Sequence, residues 1–233
     1  MLLGSLQLLL DDPTSFLRLA VLVIFSLIIA ITVHEFSHAL VANGLGDSTA
    51  KQQGRLSLNP MRHLDPGGTM MMLLAGFGWG KPVPVDQHRL AHGATGMSLV
   101  AAAGPFSNLV LAFLFALPIK LGLLDSTGPG LNQVTVVMTG GFLPGLADIL
   151  GLVIFFNLLL AVFNLLPLAP LDGSRVLEGF IPRHRTASYA KFQRYGPALL
   201  VGIVMIDYAM GLGILWMVIG PAVRGLTSLA TGF

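Results

Sequence analysis

Apolar residues run along this chain in four long blocks separated by shorter polar segments. The blocks cover about residues 14–44, 96–119, 147–166 and 197–219. A transmembrane helix needs about 20 mostly apolar residues, and each block is long enough. None of them alternates with period two, so a closed barrel is not expected. Their ends are marked: Asp11-Asp12-Pro13 is an acidic, proline-containing helix start, and Pro167 and Pro170 stop the third block. The pattern predicts an all-α polytopic membrane protein of about four transmembrane helices, forming one membrane-embedded domain over residues 1–233.

Between the first two blocks the pattern changes. Thr69 to Trp79 is apolar but too short to span, and Gly76-Phe77-Gly78-Trp79-Gly80 closes it. We expect a re-entrant or interfacial segment over about 69–80. Residues 50–59 are polar with partial alternation, and the prolines of Lys81-Pro82-Val83-Pro84-Val85 favour extended backbone. A short β-hairpin region at the membrane face is the expectation here.

Composition narrows the class. Hydrophobic residues make up 54% and charged residues only 10%, with a mean hydropathy of +0.80. Soluble domains carry about 25% charged residues, so ordinary soluble enzymes and disordered scaffolds are excluded. A net charge of +2 is too small to point to nucleic acid. The first block follows two aspartates rather than a basic region, which reads as a retained helix and not a signal peptide. Lys51, Arg55, Arg62, Lys81 and Arg89 flank the short segment, and Arg175, Arg183, Arg185, Lys191 and Arg194 follow the third block. The positive-inside rule puts both groups in the cytoplasm.

The first block carries His34-Glu35-Phe36-Ser37-His38. Residues four apart on a helix lie about 40° apart around its axis. Both imidazoles therefore leave one face, one turn apart, where they can share a Zn²⁺. Glu35 stands beside them as a carboxylate able to take a proton from water. Ionisable groups inside a membrane span are costly and mark function by default. With no cysteine in the chain, the site must use His and carboxylate, and a catalytic zinc needs a third protein ligand. His63, His88, His92 and His184 are candidates in polar loops. Asp172 is the stronger one, because Pro167 and Pro170 break the third block just before it and Gly173 follows.

These residues resemble the site-2 protease family of intramembrane zinc metalloproteases, in a compact bacterial form without PDZ or CBS domain. The likeness rests on His34 to His38, on Asn164…Leu171-Asp172-Gly173, and on Gly76-Phe77-Gly78 followed by Lys81 to Val85. Asn59-Pro60…His63 to Gly68 and Gly104-Pro105-Phe106-Ser107-Asn108 support it. The resemblance implies one Zn²⁺ per chain held by His34, His38 and Asp172, with Glu35 as general base. It also implies that Asn164, Gly76, Phe77 and Gly78 contact substrate, and that the substrates are transmembrane proteins or peptides cleaved within or near their spans. An integral protein of the bacterial cell membrane, with its site toward the cytoplasm, follows from the family and the charge pattern together.

Two non-proteolytic classes share the constellation. One is a catalytically silent, zinc-containing membrane chaperone, which would not need Glu35. The other is a metal-ion transporter, which would need polar residues along a path that the charge-free second and third blocks do not supply. Asp207, in the middle of the fourth block, reads either as a relay or gate or as a hydrogen-bonded buried carboxylate. Asn108 reads either as a partner of the catalytic helices or as packing.

Overall fold

A computed structural model describes residues 10–75, 79–124 and 145–232. Its α-helices are α1 (Pro13–Gly44), α2 (Thr49–Gln52), α3 (Pro66–Ala75), α4 (Ala94–Lys120), α5 (Leu146–Asn164), α6 (Asp172–Glu178), α7 (Thr186–Met210) and α8 (Ile214–Thr231). Four of them, α1, α4, α5 and α8, are long and apolar enough to cross a membrane.

Asp12 starts α1 by accepting from the backbone N–H groups of Thr14 and Ser15, both at 3.1 Å, with Pro13 in the first turn. At 32 residues the helix is about 48 Å long, beyond the ~30 Å of a hydrocarbon core. α1, α4 and α5 pack on one another, and α8 closes against α4 and α5. Their shared core holds Val23 and Ile31 of α1, Ala112 and Ala116 of α4, Leu152, Ile154 and Leu158 of α5, and Val223 of α8. Ala112 and Ala116 are one turn apart and fully buried. Small residues at that spacing let helix backbones approach closely, which is how helices gain packing energy where lipid offers no hydrophobic driving force. α5 is the central member: 56% of its apolar window is buried, against 28% for α8.

The expected β-hairpin is not there. No strand occurs among the described residues, and the pairing is reduced to one antiparallel bridge between Leu64 and Gly80, beside Lys81 N–H donating to the His63 carbonyl at 2.7 Å. Two causes are visible. Pro82 and Pro84 have no N–H to give a ladder. Asp65 meanwhile caps a helix, its Oδ1 accepting from Gly68 N–H at 2.7 Å, so the apolar residues from Pro66 to Ala75 coil into α3. Ten residues give about 15 Å, half a membrane. Part of the 50–59 segment is likewise helical, as α2. Gly76, Phe77 and Gly78 lie outside the described residues.

The fourth block also differs from the single span expected over 197–219. Gly211 and Gly213 take positive φ, +62° and +67°, and divide it between the end of α7 and the start of α8. Asp207 is therefore not a mid-span carboxylate. It sits in the last turn of α7, and its oxygens accept from the N–H groups of Ile214 (2.6 Å) and Leu215 (3.3 Å), satisfying donors that open α8.

The turn after α1 is tied by Asp47, which is fully buried. It accepts from Thr49 N–H at 3.0 Å and from Asp86 N–H at 2.7 Å, joining α2 to the loop before α4. Burial raises its pKa, but the Thr49 hydroxyl, the two N–H groups and Arg89 outweigh this and hold it below the usual carboxylate value. A depressed folded pKa gives stability that is complete above the unfolded value near ~3.9 and disappears as pH falls through the folded one. Asp47→Asn should thus lower the melting temperature of detergent-solubilised protein at pH 7. The gap from wild type should hold down to about pH 4 and narrow below it.

Candidate metal centre

Three side chains from two distant parts of the chain converge. His34 Nε2 lies 3.0 Å and His38 Nε2 3.3 Å from Asp172 Oδ2, and the three candidate ligand atoms all lie within 4.8 Å of one another. The two histidine rings stand nearly perpendicular, at 87° with centroids 4.7 Å apart. Four-residue spacing on α1 aims both inward, as the helical geometry requires.

Asp172 arrives from the broken end of α5. The chain turns through 165–171, with a cis bond at Ala169–Pro170, and restarts as α6 with Asp172 in its first turn. Gly173 is obligatory, because a Cβ there would stand 2.2 Å from the Leu165 carbonyl oxygen. α6 is held from both sides. Ser98 of α4 donates to the Arg175 carbonyl at 2.9 Å, and Tyr189 of α7 donates to the Ser174 carbonyl at 2.7 Å.

The far nitrogens fix the ring tautomers. His38 Nδ1 faces the Val100 carbonyl at 2.7 Å, an atom that can only accept. His34 Nδ1 faces Asn108 Oδ1 at 2.6 Å. That amide is oriented by its own Nδ2, which donates to the Ala30 carbonyl (3.0 Å) and to Asn157 Oδ1 (2.8 Å). Both histidines thus carry a proton on Nδ1, and both Nε2 atoms point toward Asp172.

Does this set fit a metal ion? Asp172 Oδ2 is buried with no other hydrogen-bond partner and stands against both Nε2 atoms, so the three potential donor atoms face one another. In a tetrahedral zinc site with bonds near 2.0 Å, ligand atoms stand about 3.3 Å apart, close to the distances here. Gly104 of α4 supplies the room. A Cβ there would lie 2.6 Å from His34 Nε2 and 2.5 Å from His38 Nε2. Two nitrogens, one carboxylate oxygen and a space without side chain suit a divalent cation such as zinc.

The site opens into a cavity of about 940 Å³. Glu35 lines it beside both histidines and Asp172, and its Oε1 lies against Gly80, where a Cβ would be 3.3 Å away. Asn164 lines it too, with its Nδ2 turned back to the Leu160 carbonyl at 3.0 Å. Phe155, Phe156, Trp216 and Ile219 are among the apolar residues that line it. The loop histidines take no part. His63 is buried with Nε2 against the Ser57 carbonyl at 2.6 Å, while His88, His92 and His184 are exposed. Asn157 was not foreseen from sequence. Its only signal is an amide within an otherwise apolar span.

A model of peptidase family M50 matches residues 22–206. The chain is 41% identical over 193 residues to YwhC of Bacillus subtilis, covering 83% of each protein. It is 31% identical over 204 residues to Rip2 of Mycolicibacterium smegmatis, covering 85% of this chain and 71% of that one. Rip2 of Mycobacterium tuberculosis is also 31% identical, over 171 residues, 72% of this chain and 60% of the relative. All three are named as candidate zinc metalloproteases. No solved structure matches.

Gly104→Ala tests the cradle. The added methyl occupies the ion's space, so bound metal per chain should fall at least about tenfold by elemental analysis. The change favours helix propensity, so α-helical circular dichroism should be retained.

Proposed function

The chain belongs to peptidase family M50, and from that premise we propose that it is an intramembrane zinc metalloprotease. It hydrolyses peptide bonds within or near transmembrane segments of membrane proteins, as in regulated intramembrane proteolysis. The observation that carries this is the convergence of His34, His38 and Asp172 at the edge of an apolar cavity that also contains Glu35.

His34, His38 and Asp172 hold one zinc per chain. The chemistry that zinc supplies when bound is Lewis acidity, which acidifies water and polarises a peptide carbonyl. Glu35 is the general base: its carboxylate takes the proton of the attacking water and delivers it to the leaving amine. The apolar wall of Phe155, Phe156, Trp216 and Ile219 receives the side chains of a substrate segment and keeps bulk water from the rest of the cavity. Asn164, at the cavity's lining, offers an amide to the substrate backbone. Gly80, Pro82, Val83 and Val85 line the same cavity, where the backbone carbonyls of this run are partners for an unwound substrate strand. Gly76, Phe77 and Gly78 belong to the same stretch of chain and contact that strand.

The residues 1–233 act as one membrane-embedded domain in the bacterial cell membrane, with the site toward the cytoplasm. The distribution of Lys and Arg supports that orientation. The retained Glu35 favours an enzyme over a silent chaperone, since a purely structural zinc site has no use for a neighbouring base.

Glu35→Gln separates binding from chemistry. It should keep zinc at wild-type stoichiometry and lower cleavage of a membrane-anchored reporter with one apolar helix by about 10²–10⁴-fold. Cleavage at the wild-type rate would remove Glu35 from the mechanism.

A further inference from the structure

Three polar side chains form a chain of hydrogen bonds that runs from two buried asparagines to His34 at the cavity. Asn157 of α5 donates from Nδ2 to the Val153 carbonyl at 2.8 Å. Its Oδ1 accepts from Asn108 Nδ2 of α4 at 2.8 Å. Asn108 gives its second amide hydrogen to the Ala30 carbonyl of α1 at 3.0 Å and presents Oδ1 to His34 Nδ1 at 2.6 Å. Both asparagines are 0% exposed.

We propose that Asn108 and Asn157 are positioning residues for the metal centre, Asn157 acting on His34 only through Asn108. This rests on the zinc centre described above. An asparagine amide can present either oxygen or NH₂ to a neighbour, and the two choices have opposite consequences here. With oxygen toward His34, the ring carries its proton on Nδ1 and offers the Nε2 lone pair to the metal. With NH₂ toward His34, the ring must accept at Nδ1, which puts the proton on Nε2 and blocks the ligand atom. Ala30 alone does not decide the orientation firmly. Asn157 Oδ1 does, because it is a second acceptor on the side where Asn108 must place its NH₂ group.

The two ligand histidines are therefore controlled differently. His38 relies on a backbone carbonyl of α4, which no substitution removes. His34 relies on two side chains from two further helices, so its readiness to bind metal reports how α1, α4 and α5 are seated against one another.

The test is a double-mutant cycle on zinc affinity, measured in detergent by competition with a chromophoric chelator. Asn108→Leu and Asn157→Leu each replace both polar atoms by methyl groups on a similarly branched frame. Removing partners one step from a metal ligand weakens binding by about 10–100-fold. Asn108→Leu should fall in that range and Asn157→Leu near its lower end. The double variant should match Asn108→Leu alone, because Asn157 has no route to the metal without Asn108. A merely structural pair would lower the melting temperature of the metal-free protein and leave zinc affinity unchanged, and that result overturns the proposal. So would additive losses.

The cobalt-substituted wild type gives a second readout. It should show two slowly exchanging, paramagnetically shifted imidazole N–H resonances, from His34 and His38. Asn157→Leu, or Asn157→Ala should the former not fold, should speed exchange of the His34 signal and leave the His38 signal unchanged. Equal behaviour of the two signals in that variant, or a rapidly exchanging His34 signal already in wild type, contradicts the proposal. Absence of zinc and cobalt binding in wild type would instead defeat the reading of the centre itself, so the two failures are distinct.

Discussion

Two imidazole nitrogens and a carboxylate oxygen are gathered within 4.8 Å of one another at the heart of the structure. A divalent cation bound there would draw all three donor atoms onto one charge. Much of the local architecture is arranged to hold these three atoms in place until one arrives. α1 sets the two histidines one turn apart. The proline-broken end of α5 lets α6 begin with Asp172 beside them, and Ser98 and Tyr189 hold α6 there. Gly104 leaves the ion's space empty of side chain. An unpaired buried polar group costs about 1–3 kcal/mol, so the Asn108–Asn157 pair in an apolar bundle is tolerable only because its amide groups have partners.

The parts of the fold that could be read from sequence are those governed by local rules. Length and hydropathy gave the long apolar helices, and the i, i+4 spacing gave the paired histidines. Asp172 was legible because two prolines and a glycine announce a helix that must stop and restart. Failures occurred where short-range capping competed with a composition-based expectation. Asp65 starts a helix where a hairpin was expected, and a short helix from Thr49 reaches into the 50–59 segment. Gly211 and Gly213 break the fourth block, which turns Asp207 from an intramembrane charge into a cap for α8. In each case the deciding residue was visible, but its effect depended on which N–H it would meet. Asn157 was invisible for another reason: its partners are on α4 and on its own helix, and sequence gives no contact between α4 and α5.

The candidate centre and an apolar lining share one cavity. Glu35, His34, His38 and Asp172 share its lining with aromatic and aliphatic side chains from α5 and α8. Such a lining suits the apolar substrate segments proposed above. Membership of peptidase family M50 and the 41% identity to YwhC along most of the chain agree with a zinc metalloprotease.

The most direct measurement is zinc per chain in detergent-purified protein, compared among wild type, His38→Ala and Asp172→Ala. One zinc in wild type, largely lost in both variants, is the predicted result, because ligands from α1 and α6 must act together. Zinc retained in full by Asp172→Ala, or absent from wild type, would contradict a centre built across those two helices.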